Sequence, residues 1–151
     1  MRRRAEVIKR CEERRVAVLA ELHPILRPKI VDLLEEMRGR VTPWCGYRGP
    51  ADQARAREDG HSNARFGESP HNYQPALACD VVLHPARVLL RPHAADIESP
   101  DLWDDETPDA LATWEALERA SGVVGLARIF LRGHRDRPHL ELPEWRSLIP
   151  M

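Results

Sequence analysis

The chain is short of long apolar runs, of aromatic residues, of cysteine and of net charge. No segment approaches the length of about 20 apolar residues that a membrane-crossing helix needs, so no membrane insertion is expected. With 23 basic and 24 acidic side chains the formal net charge is −1, and no bulk field draws the chain to nucleic acid or an anionic surface. Aromatics make up 5% of the residues and form no evident stacking platform, which further argues against nucleic acid as a partner. Three cysteines, Cys11, Cys45 and Cys79, are an odd number without Cys-x-x-Cys spacing. They support neither a disulfide framework nor a thiolate zinc knuckle and are read as small buried side chains. The amino-terminal Met1-Arg2-Arg3-Arg4-Ala5-Glu6 starts basic but soon mixes charges. Lacking a continuous apolar segment and a small-residue cleavage site, it does not read as a signal peptide, so synthesis in a cytoplasm is expected.

What is present suits one soluble domain spanning residues 1–151, with a monomer as the default. Val7, Cys11, Val18 and Leu22 recur at helical spacing over residues 5–22, and His23-Pro24 ends that run. A second helix fits Pro28 to Met37, with Gly39 just beyond it. Val41 to Tyr47 reads as a strand that Pro43 demotes to an edge or a bulge. A short helix fits Pro50 to Arg57, and a polar loop fits Gly60 to Glu68. The clearest strand is Ala76 to Leu83. Alternation places Leu77, Cys79, Val81 and Leu83 on one face, expected to be core, and Ala76, Ala78, Asp80 and Val82 on the other. Residues 84–106, rich in proline and acids, look irregular. Thr107 and Pro108 start a helix carrying Leu111, Trp114 and Leu117 and ending near Ser121-Gly122. Strands fit Val123 to Leu131 and Pro138 to Leu142; in the latter His139 and Glu141 share a face. Helices in front and strands behind predict an α+β fold, a small antiparallel sheet with helices packed on it.

Two segments about sixty residues apart carry the chemistry: Ser69 to Asp80, and Asp136-Arg137-Pro138-His139-Leu140-Glu141. They offer His71, Asp80 and His139 as three metal ligands and Asp136 as a spare carboxylate. Imidazole and carboxylate suit zinc, and three protein ligands with an open position are the pattern of a catalytic zinc site. His71 and Asp80 are separated by an odd number of positions, so one regular strand cannot aim both at one ion. His71 therefore belongs to the loop before the strand, with Gln74-Pro75 supplying the bend. Asp136 is placed to act as general base and then general acid.

These residues resemble the zinc D-Ala-D-Ala carboxypeptidase and L-alanyl-D-glutamate endopeptidase family, which has the hedgehog/DD-peptidase fold. Ser69-Pro70-His71 through Ala78-Cys79-Asp80 matches its first signature and Asp136-Arg137-Pro138-His139 its second. Gly46-Tyr47-Arg48-Gly49 with Gln53 matches a third element, and Trp114 and Gly125-Leu126 fit the stretch between, so the resemblance covers roughly residues 20–142. Two departures stand out: Gln74-Pro75 replaces a glycine after His-Asn-Tyr, and Ala127-Arg128-Ile129-Phe130 stands where the family has Trp-Gly-Gly. The resemblance implies zinc as cofactor, bacterial peptidoglycan as substrate and Arg48 stabilising the oxyanion. It also implies an endolysin-like role, with holin-type release to the cell wall. Ser69, Gln53 and Tyr73 are candidate substrate-binding residues, with alternatives: Ser69 bonding its own loop, Gln53 orienting Arg48 or facing solvent, and Tyr73 packing in the core. The alternative functions are a D,D-carboxypeptidase or dipeptidase at D-Ala-D-Ala termini, and a non-catalytic zinc protein of the same fold.

Glu141 is a candidate partner behind His139, and Trp145 a candidate groove residue. His23, His61, His84, His93 and His134 read as surface or loop residues, and Asp96 to Glu106 as a solvated acidic loop without calcium-loop spacing. Arg128, Arg132, Arg135 and Arg137 are candidates for attracting stem-peptide carboxylates.

Overall fold

The structure is a computed structural model that describes residues 2–88, 102–103, 106–127, 130–131, 134–135 and 138–149. In chain order the elements are α1 (Arg2–Glu21), α2 (Leu26–Glu36), β1 (Val41–Cys45), α3 (Pro50–Glu58), β2 (Ala78–Leu83), α4 (Pro85–Val88), α5 (Pro108–Val124), β3 (Phe130–Leu131), β4 (His134–Arg135) and β5 (His139–Glu141). A 3-10 turn at Pro70–Asn72 precedes β2, and another at Trp145–Leu148 follows β5. Strands β1, β2 and β5 form an antiparallel sheet in the order β1-β2-β5, while β3 pairs with β4. The α+β class expected from the hydrophobic periods is the class observed.

Along α1, Cys11 and Val18 are buried and most charged positions are exposed. The chain leaves that helix at Leu22 and bonds to the approach of β2: Ala76 N–H donates to Glu21 C=O at 2.8 Å, and His23 N–H to Ala76 C=O at 2.8 Å. Ala76 thus bridges to Leu22, and the ladder with β1 starts later than alternation predicts. Helix α2 sets Leu26, Ile30, Leu33 and Leu34 against the core beside Ala110, Trp114 and Leu117 of α5. Burying a leucine of this kind fully contributes roughly 2 kcal/mol.

As the central strand, β2 is buried on both faces from Ala78 to Leu83, so the face carrying Asp80 is no more open than the apolar one. Pro43 sits on the edge strand β1, where the register shifts between Pro43 and Cys45, as a proline without an N–H requires. Helix α5 differs from expectation. It runs through Ser121-Gly122 to Val124 and occupies the start of the predicted 123–131 strand. The stop is Gly125, at φ 76° and ψ 36°, with Leu126 N–H returning to Ser121 C=O at 2.9 Å. Residues 128–129 of that predicted strand and 89–101 of the predicted irregular stretch lie outside the described residues.

Gly125→Ala is expected to destabilise the fold by about 1–2 kcal/mol, the cost of the left-handed conformation for a residue with a Cβ. The added methyl also meets Lys29 Nζ at 3.0 Å. Urea unfolding with an unchanged m-value checks this.

Candidate metal centre

Three strands set up a row of side chains at one register level. In β1 and β2 Cys45 lies opposite Asp80, and in β2 and β5 Asp80 lies opposite His139. Opposed residues of antiparallel strands project to the same face. His71 comes to this row from the 3-10 turn at Pro70–Asn72, whose cap fixes its position. Ser69 Oγ accepts from His71 N–H at 3.3 Å, and Asn72 Oδ1 accepts from Ser69 N–H at 3.1 Å and Gly67 N–H at 3.0 Å.

The candidate ligand atoms converge. His71 Nε2 is 3.1 Å from Asp80 Oδ1 and 3.2 Å from His139 Nδ1, and His139 Nδ1 is 3.3 Å from Asp80 Oδ1. A tetrahedral ion with bonds of about 2.0–2.1 Å holds its ligand atoms about 3.3 Å apart. The protonation pattern agrees with that reading. Gly46 C=O lies 2.7 Å from His71 Nδ1. A carbonyl can only accept, so Nδ1 carries the proton of the neutral ring and Nε2 faces the cluster with its lone pair. On His139, Nε2 is 3.6 Å from Glu141 Oε2, which favours the proton there and leaves Nδ1 as acceptor. Nε2 of His139 is buried without a hydrogen bond, so this carboxylate is its nearby counterpart. Three acceptors packed together in the interior call for a cation, and the donor set fits zinc. The Cys45, His71 and Asp80 ligand atoms also lie within 4.8 Å of one another, a group that could hold a metal ion.

The electrostatics follow. Burial pushes His71 down, but the Asp80 carboxylate and the Cys45 thiol outweigh it and raise the imidazole to about 10. His139 is likewise raised: burial opposes the shift, and the neighbouring Asp80 and Glu141 carboxylates drive it. For Asp80 burial acts upward, yet the two imidazoles hold its carboxyl well below the ordinary carboxylate range. Without a metal, a proton takes the cation's place. Because the folded value of His71, about 10, exceeds its ordinary 6.5, its protonation stabilises the metal-free fold fully below pH 6.5 and less as pH rises to 10. The urea midpoint of chelator-treated protein is expected to fall across that window, whereas zinc-saturated protein keeps its midpoint; a flat midpoint in the stripped protein contradicts the assignment.

Arg48 flanks the cluster. Its Nη2 lies 3.3 Å from Asp80 Oδ2, on the oxygen that the histidines leave free, and its Nη1 donates to Gln53 Oε1 at 3.1 Å. Its backbone N–H donates to His71 C=O at 2.7 Å, so Arg48 and His71 are held as one unit. Gly46 makes this possible: a Cβ there would meet Glu21 Oε2 at 2.9 Å and Leu22 Cδ2 at 3.3 Å, and Glu21 Oε2 accepts the Tyr47 N–H.

Ser69 and Gln53 take the loop-bonding and arginine-orienting roles among their readings. Gln53 is fully buried and its amide is committed inside the chain: Oε1 accepts from Arg48 and Asn72, and Nε2 donates to Ser62 Oγ and Ala64 C=O. Ser69 is buried as the cap of the His71 turn. Both therefore position Arg48 and His71 and are not presented to solvent. Tyr73 is half-buried; its hydroxyl donates to Gly67 C=O at 2.6 Å and its ring lies 6.1 Å from that of Trp145, which is itself buried.

Asp136 lies outside the described residues, as do Arg128, Arg132 and Arg137 and the acidic positions 96, 98, 101, 104 and 105. Two histidines keep local roles: His23 Nδ1 accepts from Ile25 N–H, and His84 Nε2 lies 3.4 Å from Glu12.

Cys45 was expected as a small buried side chain, yet it is half-buried and stands beside His71 and Asp80. Its place in the sequence, directly before Gly46-Tyr47-Arg48, was the available signal. Glu141→Gln is expected to weaken zinc affinity about 10- to 100-fold, the usual cost of losing a carboxylate behind a ligating histidine. Competition with a chromophoric chelator measures it.

No protein-family model and no curated sequence matches the chain. Among solved structures, it is similar to the L-Ala D-Glu endopeptidase ChiX of Serratia marcescens, with a TM-score of 0.58 and 22% identity over 90% of this chain and 91% of that one. The two share a fold along nearly their full lengths. Among the described residues no helix is long and apolar enough to cross a membrane.

Proposed function

We propose that this chain is a zinc-dependent peptidase that hydrolyses a peptide bond in the stem peptides of bacterial peptidoglycan, with the bond between L-alanine and D-glutamate as its target. One observation carries the reading: three buried acceptor atoms of His71, Asp80 and His139 stand 3.1–3.3 Å apart, with an arginine against the same aspartate. The motifs of the sequence and a fold shared with an endopeptidase named for that bond support it.

When bound, zinc supplies a Lewis acid that polarises the scissile carbonyl and lowers the pKa of water. The chain's own residues do the rest. Arg48, fixed from behind by Gln53, holds a positive charge where the oxyanion develops. Asp136, three positions before His139 in sequence, takes the proton of the attacking water. As the carbonyl carbon gains its bond to that oxygen and the C–N bond breaks, Asp136 passes the proton to the leaving amine. In this reading the enzyme meets the cell wall as a phage lysin does, after release from the cytoplasm.

The position of Cys45 favours a second reading, a zinc centre closed by four protein ligands and without catalysis. A defined muropeptide separates these readings. A product with a new D-glutamate amino terminus supports the endopeptidase. Loss of D-alanine alone assigns a D,D-carboxypeptidase, and zinc binding without product assigns the non-catalytic protein.

A further inference from the structure

We propose that Cys45 is a fourth ligand of the metal held by His71, Asp80 and His139. This rests on the reading above and adds a residue that the three-ligand pattern does not contain.

The backbone makes the case first. Across β1 and β2 the register runs Val41 to Leu83, Thr42 to Val82 and Pro43 to Val81, then skips Trp44 and pairs Cys45 with Asp80. In an unbroken register Trp44 would oppose Asp80. The bulge turns Trp44 toward Arg14, whose guanidinium carbon lies 3.8 Å from the ring centroid, and toward Trp103 at 6.2 Å. It moves Cys45 into the row that Asp80 and His139 already share. Bulges commonly re-aim a side chain beside a functional centre.

The distances among Cys45, His71 and Asp80 admit such a ligand, and the chemistry favours it. The Cys45 sulfur and the His71 and Asp80 ligand atoms lie within 4.8 Å of one another. An ion bonded to sulfur at about 2.3 Å and to nitrogen at about 2.0 Å sets those two atoms about 3.6 Å apart, inside that span. Thiolate is a favoured zinc ligand, and two histidines, a carboxylate and a thiolate complete a tetrahedron. Cys79 provides the internal contrast: one position from Asp80 on the same strand, it projects to the opposite face, and Cys11 sits in the core cluster on α1.

The test is a titration of the chelator-stripped full chain with cobalt(II), read by absorbance. The wild type is expected to bind one equivalent with a near-ultraviolet thiolate-to-cobalt charge-transfer band. Cys79→Ser is expected to keep the band. Cys45→Ser is expected to lose it and to bind cobalt at least tenfold more weakly. A full equivalent bound by the wild type without the band, or a band that survives in Cys45→Ser, overturns the role of Cys45 and leaves the three-ligand centre standing. Absence of stoichiometric cobalt binding in the wild type overturns the metal centre itself. A measurement free of substitutions accompanies it: zinc is expected to slow alkylation of Cys45 at least tenfold in peptide-mapping mass spectrometry, and an unchanged rate with zinc bound overturns the ligation.

Discussion

Replacing His71 with alanine is expected to abolish stoichiometric zinc binding and to lower turnover of peptidoglycan at least about 1,000-fold, since Lewis-acid chemistry contributes several kcal/mol of transition-state stabilisation. The size of the effect follows from what the ring does. Its Nε2 meets both Asp80 Oδ1 and His139 Nδ1, so its loss removes the atom around which the other two are arranged. Its Nδ1 also ties the cluster to Gly46 C=O at 2.7 Å. The variant leaves Asp80 between Arg48 and His139, so the fold is expected to survive with reduced stability. Circular dichroism establishes the fold, elemental analysis gives the zinc content and product release gives the rate. Full zinc occupancy in folded His71→Ala would show that His71 is not needed to hold the ion.

Asp136→Asn is expected to do the reverse at the metal, with zinc retained at one equivalent while turnover falls about 100- to 10,000-fold, the range for loss of a positioned general acid–base. Asparagine keeps the size of the side chain but can neither take a proton from water nor return one to the amine. The contrast with His71→Ala separates holding the ion from moving the proton. An Asp136→Asn protein with full activity removes that residue from the mechanism.

Much of this arrangement was legible in the residues because it depends on parity and local spacing. The odd separation of His71 and Asp80 puts them on different elements, and the structure has them on a 3-10 turn and a strand. The shared face of His139 and Glu141 appears as a carboxylate 3.6 Å from the ring nitrogen. What the sequence left hidden depends on three-dimensional accommodation. The bulge that skips Trp44 changes the parity of β1, so no alternation count could bring Cys45 beside Asp80. For Gln53 the sequence leaves open whether it orients Arg48 or faces solvent. In the fold it is fully buried, because the Ser62–Ala64 loop and Asn72 close over it and satisfy its amide. The end of α5 passes Gly122 and waits for Gly125 because only the latter adopts the left-handed conformation.

The most direct test of the central claim uses purified sacculi and one preparation of protein, stripped with a chelator and then reconstituted with one equivalent of zinc. Soluble products are identified by mass spectrometry before and after reconstitution. No release is expected from the stripped protein and, on reconstitution, fragments bearing a new D-glutamate amino terminus are expected. Equal release from stripped and reconstituted protein, or no release with zinc bound, would contradict the central claim.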